Sequence, residues 1–198
     1  MKGFFLVCVS LVFSQNIQCV DEICNLVAQL DGALLSCANN VTSCNVFCGN
    51  FPGQCRTAIL TSEALNTVVF CTGEQSCYGM NMNIVRSTSP PASSVEIRCD
   101  NKESCYGSNI VIDGLFLNVP NIYATNQDAL SSDAATVNCA IDSVDPDGNQ
   151  IECLLGCNAE DACNELRIMG NIKCQGIGCA NLGEISPKNA TKYFLKKY

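Results

Sequence analysis

The stretch CTGEQSCYGMNMNIV, which starts at Cys71, returns 28 residues later as CDNKESCYGSNIVID, starting at Cys99, with seven of fifteen aligned positions identical. A chain that writes the same cysteine-bounded turn twice is built from a repeated unit, and repetition at such a period narrows the available folds to stacked arrays.

The unit can be widened in both directions. A β-branched residue stands two positions before each of six cysteines: Val46 before Cys48, Val69 before Cys71, Ile97 before Cys99, Val137 before Cys139, Ile151 before Cys153 and Ile172 before Cys174. The residue between them is Phe47, Phe70, Arg98, Asn138, Glu152 or Lys173, mostly polar, which is the period-two pattern of a strand with one face turned inward. A short loop then leads to a second cysteine, from Cys48 to Cys55, Cys71 to Cys77, Cys99 to Cys105, Cys157 to Cys163 and Cys174 to Cys179. Five residues further on, an apolar side chain recurs at Leu60, Met82, Ile110 and Ile168, and Glu184 breaks the pattern in the last copy.

Each unit therefore reads strand, cysteine-bounded corner, strand. The first cysteines lie 23 and 28 residues apart, and the interval from Cys99 to Cys153 is 54, twice 27. Units that repeat in one direction stack equivalent strands in parallel. The expected fold is all-β, a disulfide-stapled parallel β-helix solenoid of about five coils. A disulfide across each corner would contribute about 2 kcal/mol by the chain-entropy argument, although ladder bonds between stacked coils would use the same cysteines and the spacing alone does not choose.

The start MKGFFLVCVSLVFSQ has one Lys, an apolar run and small residues before Gln15, the layout of a secretory signal peptide over residues 1–14. Of 17 cysteines, losing Cys8 with that segment leaves 16, an even number suited to disulfides in an oxidising, extracellular compartment. Zinc fits poorly, because the chain has no His and its cysteine pairs are spaced too widely. No later run is long enough to cross a bilayer. In DEICNLVAQLDGALLSC, the apolar Ile23, Leu26, Val27, Leu30 and Leu34 share one helical face, which predicts a capping helix in residues 15–44 tied down by Cys19, Cys24, Cys37 and Cys44. Residues 45–187 hold the repeats and 188–198 form a basic tail. STSPPASS from Ser87 and TNQDALSSDAA from Thr125 read as loops that leave the coil.

Residues 15–187 carry 19 acidic and 6 basic side chains, near −13, while the tail adds four lysines. An acidic body repels phosphate backbones and makes nucleic acid an unsuitable partner. DSVDPDGNQIE brings Asp142, Asp145, Asp147 and Glu152 close in sequence and resembles part of a calcium loop, calcium being the one cofactor the residues raise. Ser143 stands where that loop needs its first Asp and Leu154 where it needs its closing Glu, and Asp-Pro-Asp-Gly is also a good tight turn. Tyr78 and Tyr106 occupy equivalent outward positions and should stack, either as a platform for sugar rings or as a ladder that supports the strands, and Asn81 and Asn109 are likewise in register. Without His there is no Ser-His-Asp or Cys-His arrangement, and no pair of carboxylates is singled out as catalytic. The sequons at Asn40 and Asn189 fit glycosylation of an exported protein.

The Cys-x5-Cys corner followed by YGxNxxI, with its preceding β-branched-x-Cys strand, resembles the cysteine-rich repeats of secreted β-helical proteins of the pectin-lyase-like superfold, from about Val46 to Ile185. That resemblance implies the fold. Enzymes of the superfold act on acidic polysaccharides through clustered Asp or Arg and calcium, whereas Arg56, Arg86, Arg98, Lys102, Arg167 and Lys173 show no cluster in this sequence. The leading functional expectation is a secreted, non-enzymatic structural or adhesion module that meets an extracellular protein or glycan surface. A carbohydrate-binding or carbohydrate-cleaving β-helix and a small secreted effector or inhibitor are the alternatives.

Overall fold

A computed structural model describes residues 16–183 apart from 20–21, 28–30, 50–51, 87–89, 133 and 146. Residues 1–14, Leu30, Glu184, Asn189 and the basic tail lie outside the described residues. Fourteen strands follow in chain order: β1 Asn16–Cys19, β2 Glu22–Leu26, β3 Leu34–Cys37, β4 Val41–Cys48, β5 Ile59–Ser62, β6 Asn66–Cys71, β7 Asn81–Arg86, β8 Ser94–Cys99, β9 Asn109–Gly114, β10 Asn121–Ala124, β11 Thr136–Ile141, β12 Cys153–Cys157, β13 Arg167–Gly170 and β14 Ile172–Gln175. A short 3-10 helix, Ile177–Asn181, is the last element among the described residues.

The chain alternates between two sheets. The odd-numbered strands form one seven-stranded sheet in the order β1-β3-β5-β7-β9-β11-β13, and the even-numbered strands form the other, β14-β12-β10-β8-β6-β4-β2. Every neighbouring pair of strands is parallel, from β1 with β3 to β12 with β14. Because each strand pairs with the strand two ahead of it, an odd strand and the even strand after it, together called a rung, add one strand to each sheet.

The period-two pattern decides which side chains enter the space between the sheets. In the even sheet Val46, Val69 and Ile97 stand in register, followed by Ile122 and Leu155, and all are buried. In the odd sheet Leu60, Met82, Ile110, Val137 and Ile168 form the facing column. Each such side chain contributes about 1.5–3 kcal/mol by leaving water.

Eight disulfides lie among the described residues. Four close the junction from even to odd sheet, Cys48–Cys55, Cys71–Cys77, Cys99–Cys105 and Cys157–Cys163, and Cys174–Cys179 ties β14 to the 3-10 helix. Three close the opposite junction: Cys19–Cys24, Cys37–Cys44 and Cys139–Cys153. The cysteine corners bond to one another through the backbone. Cys77 N–H donates to Ser104 O at 2.6 Å, Cys105 N–H to Ala129 O at 2.7 Å and Leu130 N–H to Ala162 O at 2.8 Å.

Several expectations need correction. No helix forms in the described part of residues 15–44, which supplies β1 to β4 instead. The helical spacing of Ile23, Leu26 and Val27 is overridden by a period-two pattern in which Cys24 and Leu26 turn inward and Ile23 is left exposed. Val137-x-Cys139 is not a copy of the β-branched-x-Cys strands around it: it lies in β11 of the odd sheet, opposite Ile110 and Ile112. Each sheet holds seven strands where about five coils were expected.

One uncounted rung is the one without a bridge. Ala124 pairs with Cys99 on one side and Cys157 on the other, and Leu130 takes the place of Cys105 and Cys163 in the corner hydrogen bonds. The segment from Thr125 is therefore a corner and not an excursion, and a buried Ala–Leu pair fills the room of a disulfide.

This rung shows how a bridge can be replaced. Cys99→Ala/Cys105→Ala should lower stability by about 2 kcal/mol for the lost cross-link, with a further cost for the void. Cys99→Ala/Cys105→Leu should recover about 1 kcal/mol of that by refilling the space. Urea unfolding of the two variants tests the order, and a less stable Ala–Leu variant would contradict it.

Candidate functional site

The outward face of the even sheet carries the most distinctive chemistry. Inward positions alternate with outward ones, so Phe47, Phe70 and Arg98, each just before a corner cysteine, point outward, and parallel register extends their column along the sheet. The column runs Phe47, Phe70, Arg98, Tyr123, Gly156 and Gln175. The rings of Phe47 and Phe70 stack with centroids 5.4 Å apart and planes 10° from parallel. The Arg98 guanidinium lies 6.0 Å from the Phe70 ring and 5.9 Å from that of Tyr123.

Glu96, on the same strand, forms an ion pair with Arg98, and this hydrogen bond holds Arg98 above the ordinary arginine value. At Gly156 a Cβ would stand 3.2 Å from Tyr123 Cδ1, so the missing side chain leaves the tyrosine its room. A second outward column runs alongside: Asn45, Val68, Glu96, Asn121, Leu154 and Lys173.

Two hollows open on this face. The smaller, about 180 Å³, is formed by Arg98, Asp100, Tyr123 and Thr125. The larger, about 300 Å³, is lined among others by Val119, Asp145, Glu152, Leu154, Lys173 and Gln175. Its wall is a small hairpin between β11 and β12, where Val144 and Gln150 pair antiparallel and Asp145 N–H donates to Asn149 O at 2.8 Å. The Cys139–Cys153 bridge closes the base of this excursion. Acidic and basic side chains thus border an apolar floor, the mixed lining of a binding surface.

The acidic stretch serves the hairpin. Asp145 Oδ1 accepts from the backbone of Asn149 at 2.8 Å and of Asp147 at 2.9 Å, and the Asn149 side chain donates to the same carboxylate. The Asn149 backbone and side-chain donors hold the Asp145 carboxyl below its usual range. Among the described residues, the groups whose ligating atoms gather within 4.8 Å are two trios of cysteines, all in disulfides, so Asp142, Asp145, Asp147 and Glu152 are not brought together as a calcium cage. Glu152 lines the larger hollow instead.

Tyr78 and Tyr106 stack at 5.3 Å and 20°, as their equivalent positions imply. The Arg56 guanidinium sits 5.0 Å over the Tyr78 ring. Tyr78 therefore has Arg56 stacked on it as well as Tyr106, an arrangement that stabilises the corner and leaves little ring face for a sugar. Asn81 and Asn109 pair in register on the odd sheet, where Asn109 Oδ1 accepts from Thr136 Oγ1. Asn40 is exposed in the turn before β4, with Thr42 of its sequon also exposed.

Sequence reasoning passed over Phe47, Phe70, Arg98 and Tyr123. Phe47, Phe70 and Arg98 each precede a corner cysteine, whereas Tyr123 precedes Ala124, and only the register shows that these four side chains line up. No protein-family model, no curated protein and no solved structure matched the chain.

Proposed function

We propose that this chain is a secreted, non-enzymatic interaction module, a rigid parallel β-helix whose outward even-sheet face docks an extracellular partner. Four observations support the β-helix: alternation between two sheets, parallel pairing throughout, hydrogen-bonded corners and bridges confined to junctions. Eight disulfides suit an oxidising compartment. No helix among the described residues is long and apolar enough to cross a membrane. The resemblance to cysteine-rich repeats of the pectin-lyase-like superfold belongs to the same reading.

The observation that carries docking is the Phe47–Phe70–Arg98–Tyr123 column. Aromatic and arginine side chains held in place by stacking lose little entropy on binding and are the commonest anchors of protein interfaces. Flow cytometry of labelled protein on cells of its source tests this. Phe70→Ser/Arg98→Gln should weaken binding about tenfold or more, while Asn83→Ser on the odd sheet should leave it unchanged. Equal binding by all three proteins, or none by the natural one, would count against the reading.

The larger hollow favours a second reading, carbohydrate binding. Carboxylates, an ammonium and amides beside Leu154 and Val119 offer donors, acceptors and an apolar floor to a sugar ring. Cleavage gains no support from Asp145, because its carboxyl is shifted down, opposite to the shift a general acid needs. A glycan array decides: selective binding lost in Glu152→Gln would favour this reading over the first.

A further inference from the structure

Four bridges close the same kind of corner after β4, β6, β8 and β12, and a fifth, Cys174–Cys179, follows β14, so bridges of adjacent rungs come close to one another. At the C-terminal end, Cys157 Sγ lies 3.6 Å from Cys174 Sγ. The sulfurs of Cys157, Cys174 and Cys179 all lie within 4.8 Å of one another, although the bonds are Cys157–Cys163 and Cys174–Cys179. The register places this meeting. Cys48, Cys71 and Cys99 stand directly opposite one another, whereas Cys174 stands opposite Leu155, two positions before Cys157 on the same inward face.

A sulfur of one bridge packed against both sulfurs of another is the arrangement from which thiol–disulfide exchange proceeds once one bridge opens. A second trio, Cys71, Cys77 and Cys105, lies mid-stack between fully formed rungs. The C-terminal trio borders the final 3-10 helix, where Gln175, Gly176 and Ile177, between the two cysteines, are exposed. A short element at the edge of the described fold opens locally more readily than its centre, which admits a small reductant to this bridge.

We propose that the last two bridges form a redox-sensitive relay. A small dithiol reduces Cys174–Cys179 and is itself oxidised to its disulfide, leaving thiols on Cys174 and Cys179. The Cys174 thiol loses its proton, and the thiolate attacks Cys157 Sγ. The Cys157–Cys163 bond breaks as a Cys157–Cys174 bond forms, and Cys163 leaves as a thiolate that takes up a proton. Two electrons enter, one bridge is lost in total, and the thiols end on Cys163 and Cys179. A bond within one corner is thereby exchanged for a bond between rungs: β14 stays tied to β12 while the 3-10 helix loses its covalent anchor.

Limited reduction of the folded protein with substoichiometric dithiothreitol at about pH 8, near the thiol pKa, followed by acid quench, alkylation and peptide mapping, tests the relay. Cleavage at Arg167 and Lys173 puts the two cysteine pairs on different peptides. The expected product that lacks one bridge joins Cys157 to Cys174 and carries alkyl groups on Cys163 and Cys179. Alkyl groups on Cys174 and Cys179 with Cys157–Cys163 intact would overturn the proposal. A second variant, Cys163→Ser, needs no reductant: its Cys157 thiol should capture Cys174 and release Cys179, and a Cys157 that stays free would equally overturn it.

Discussion

Replacing Arg86 with Met is expected to destabilise the fold by about 3–5 kcal/mol, more than the loss of one corner bridge. Arg86 ends β7 and is only 3% exposed, yet no carboxylate among the described residues forms a salt bridge with it. Its Nε donates to Pro90 O at 2.9 Å, and its Nη1 donates to Asn39 O at 2.8 Å and to Glu63 O. These carbonyls belong to three successive passages from the odd sheet to the even one, between β3 and β4, β5 and β6, and β7 and β8.

One guanidinium therefore bonds three rungs on the side where Cys37–Cys44 closes the first of these passages and Cys139–Cys153 a later one. Met keeps much of the volume and leaves the carbonyls without their donor, each at a cost of about 1–3 kcal/mol. Lys keeps the charge without the planar fork and should fall between the two. Urea unfolding of the natural protein and both variants checks the order, and an Arg86→Met protein of unchanged stability would refute the role assigned to this residue.

Gly114→Ala should cost about 3 kcal/mol or more, because strain and collision coincide. Gly114 stands opposite Arg86 in the sheet, at a φ of 107° that side chains rarely adopt, and a Cβ there would lie 2.2 Å from Arg86 O and 2.8 Å from its carbonyl carbon. Those atoms are backbone and cannot turn aside. Gly107, in the repeated YG of the corner, also has a positive φ, 67°, but nothing stands within 4 Å of a Cβ added there. Gly107→Ala should cost only about 1 kcal/mol. Thermal unfolding of the two variants separates them: equal losses would mean that Gly114 answers to backbone conformation alone.

The even-to-odd corners were legible because their chemistry repeats locally. A cysteine, a short loop, a second cysteine and an apolar residue five places on recur with little variation, and Leu60, Met82, Ile110 and Ile168 are in one column as that spacing implies. Position along the stack was not legible in the same way. Val137-x-Cys139 and Val69-x-Cys71 have the same period-two pattern, and nothing local says that one faces inward from the odd sheet and the other from the even. The rung of Ala124 and Leu130 was invisible to a search for cysteines because two apolar side chains fill the same space.

The N-terminal strands were misread for a related reason. Ile23, Leu26 and Val27 have helical spacing, and only pairing with β4 and the Cys19–Cys24 bridge shows that Cys24 and Leu26 are the inward pair. Arg86 reads as one more polar residue at a strand end until the three carbonyls around it are seen. The binding face depends on register as well: Phe47, Phe70, Arg98 and Tyr123 are 23, 28 and 25 residues apart, and unequal loops hide the column.

Disulfide mapping of the unreduced protein, alkylated and digested under acid conditions, tests the central architecture most directly. Every bridge is expected to be local, Cys71 with Cys77, Cys99 with Cys105 and Cys157 with Cys163, and the longest span among the described cysteines is expected to be the 14 residues from Cys139 to Cys153. Pairing of Cys71 or Cys99 with a distant cysteine such as Cys24 or Cys139 would contradict the stacked corners, and with them the docking face that the stack aligns.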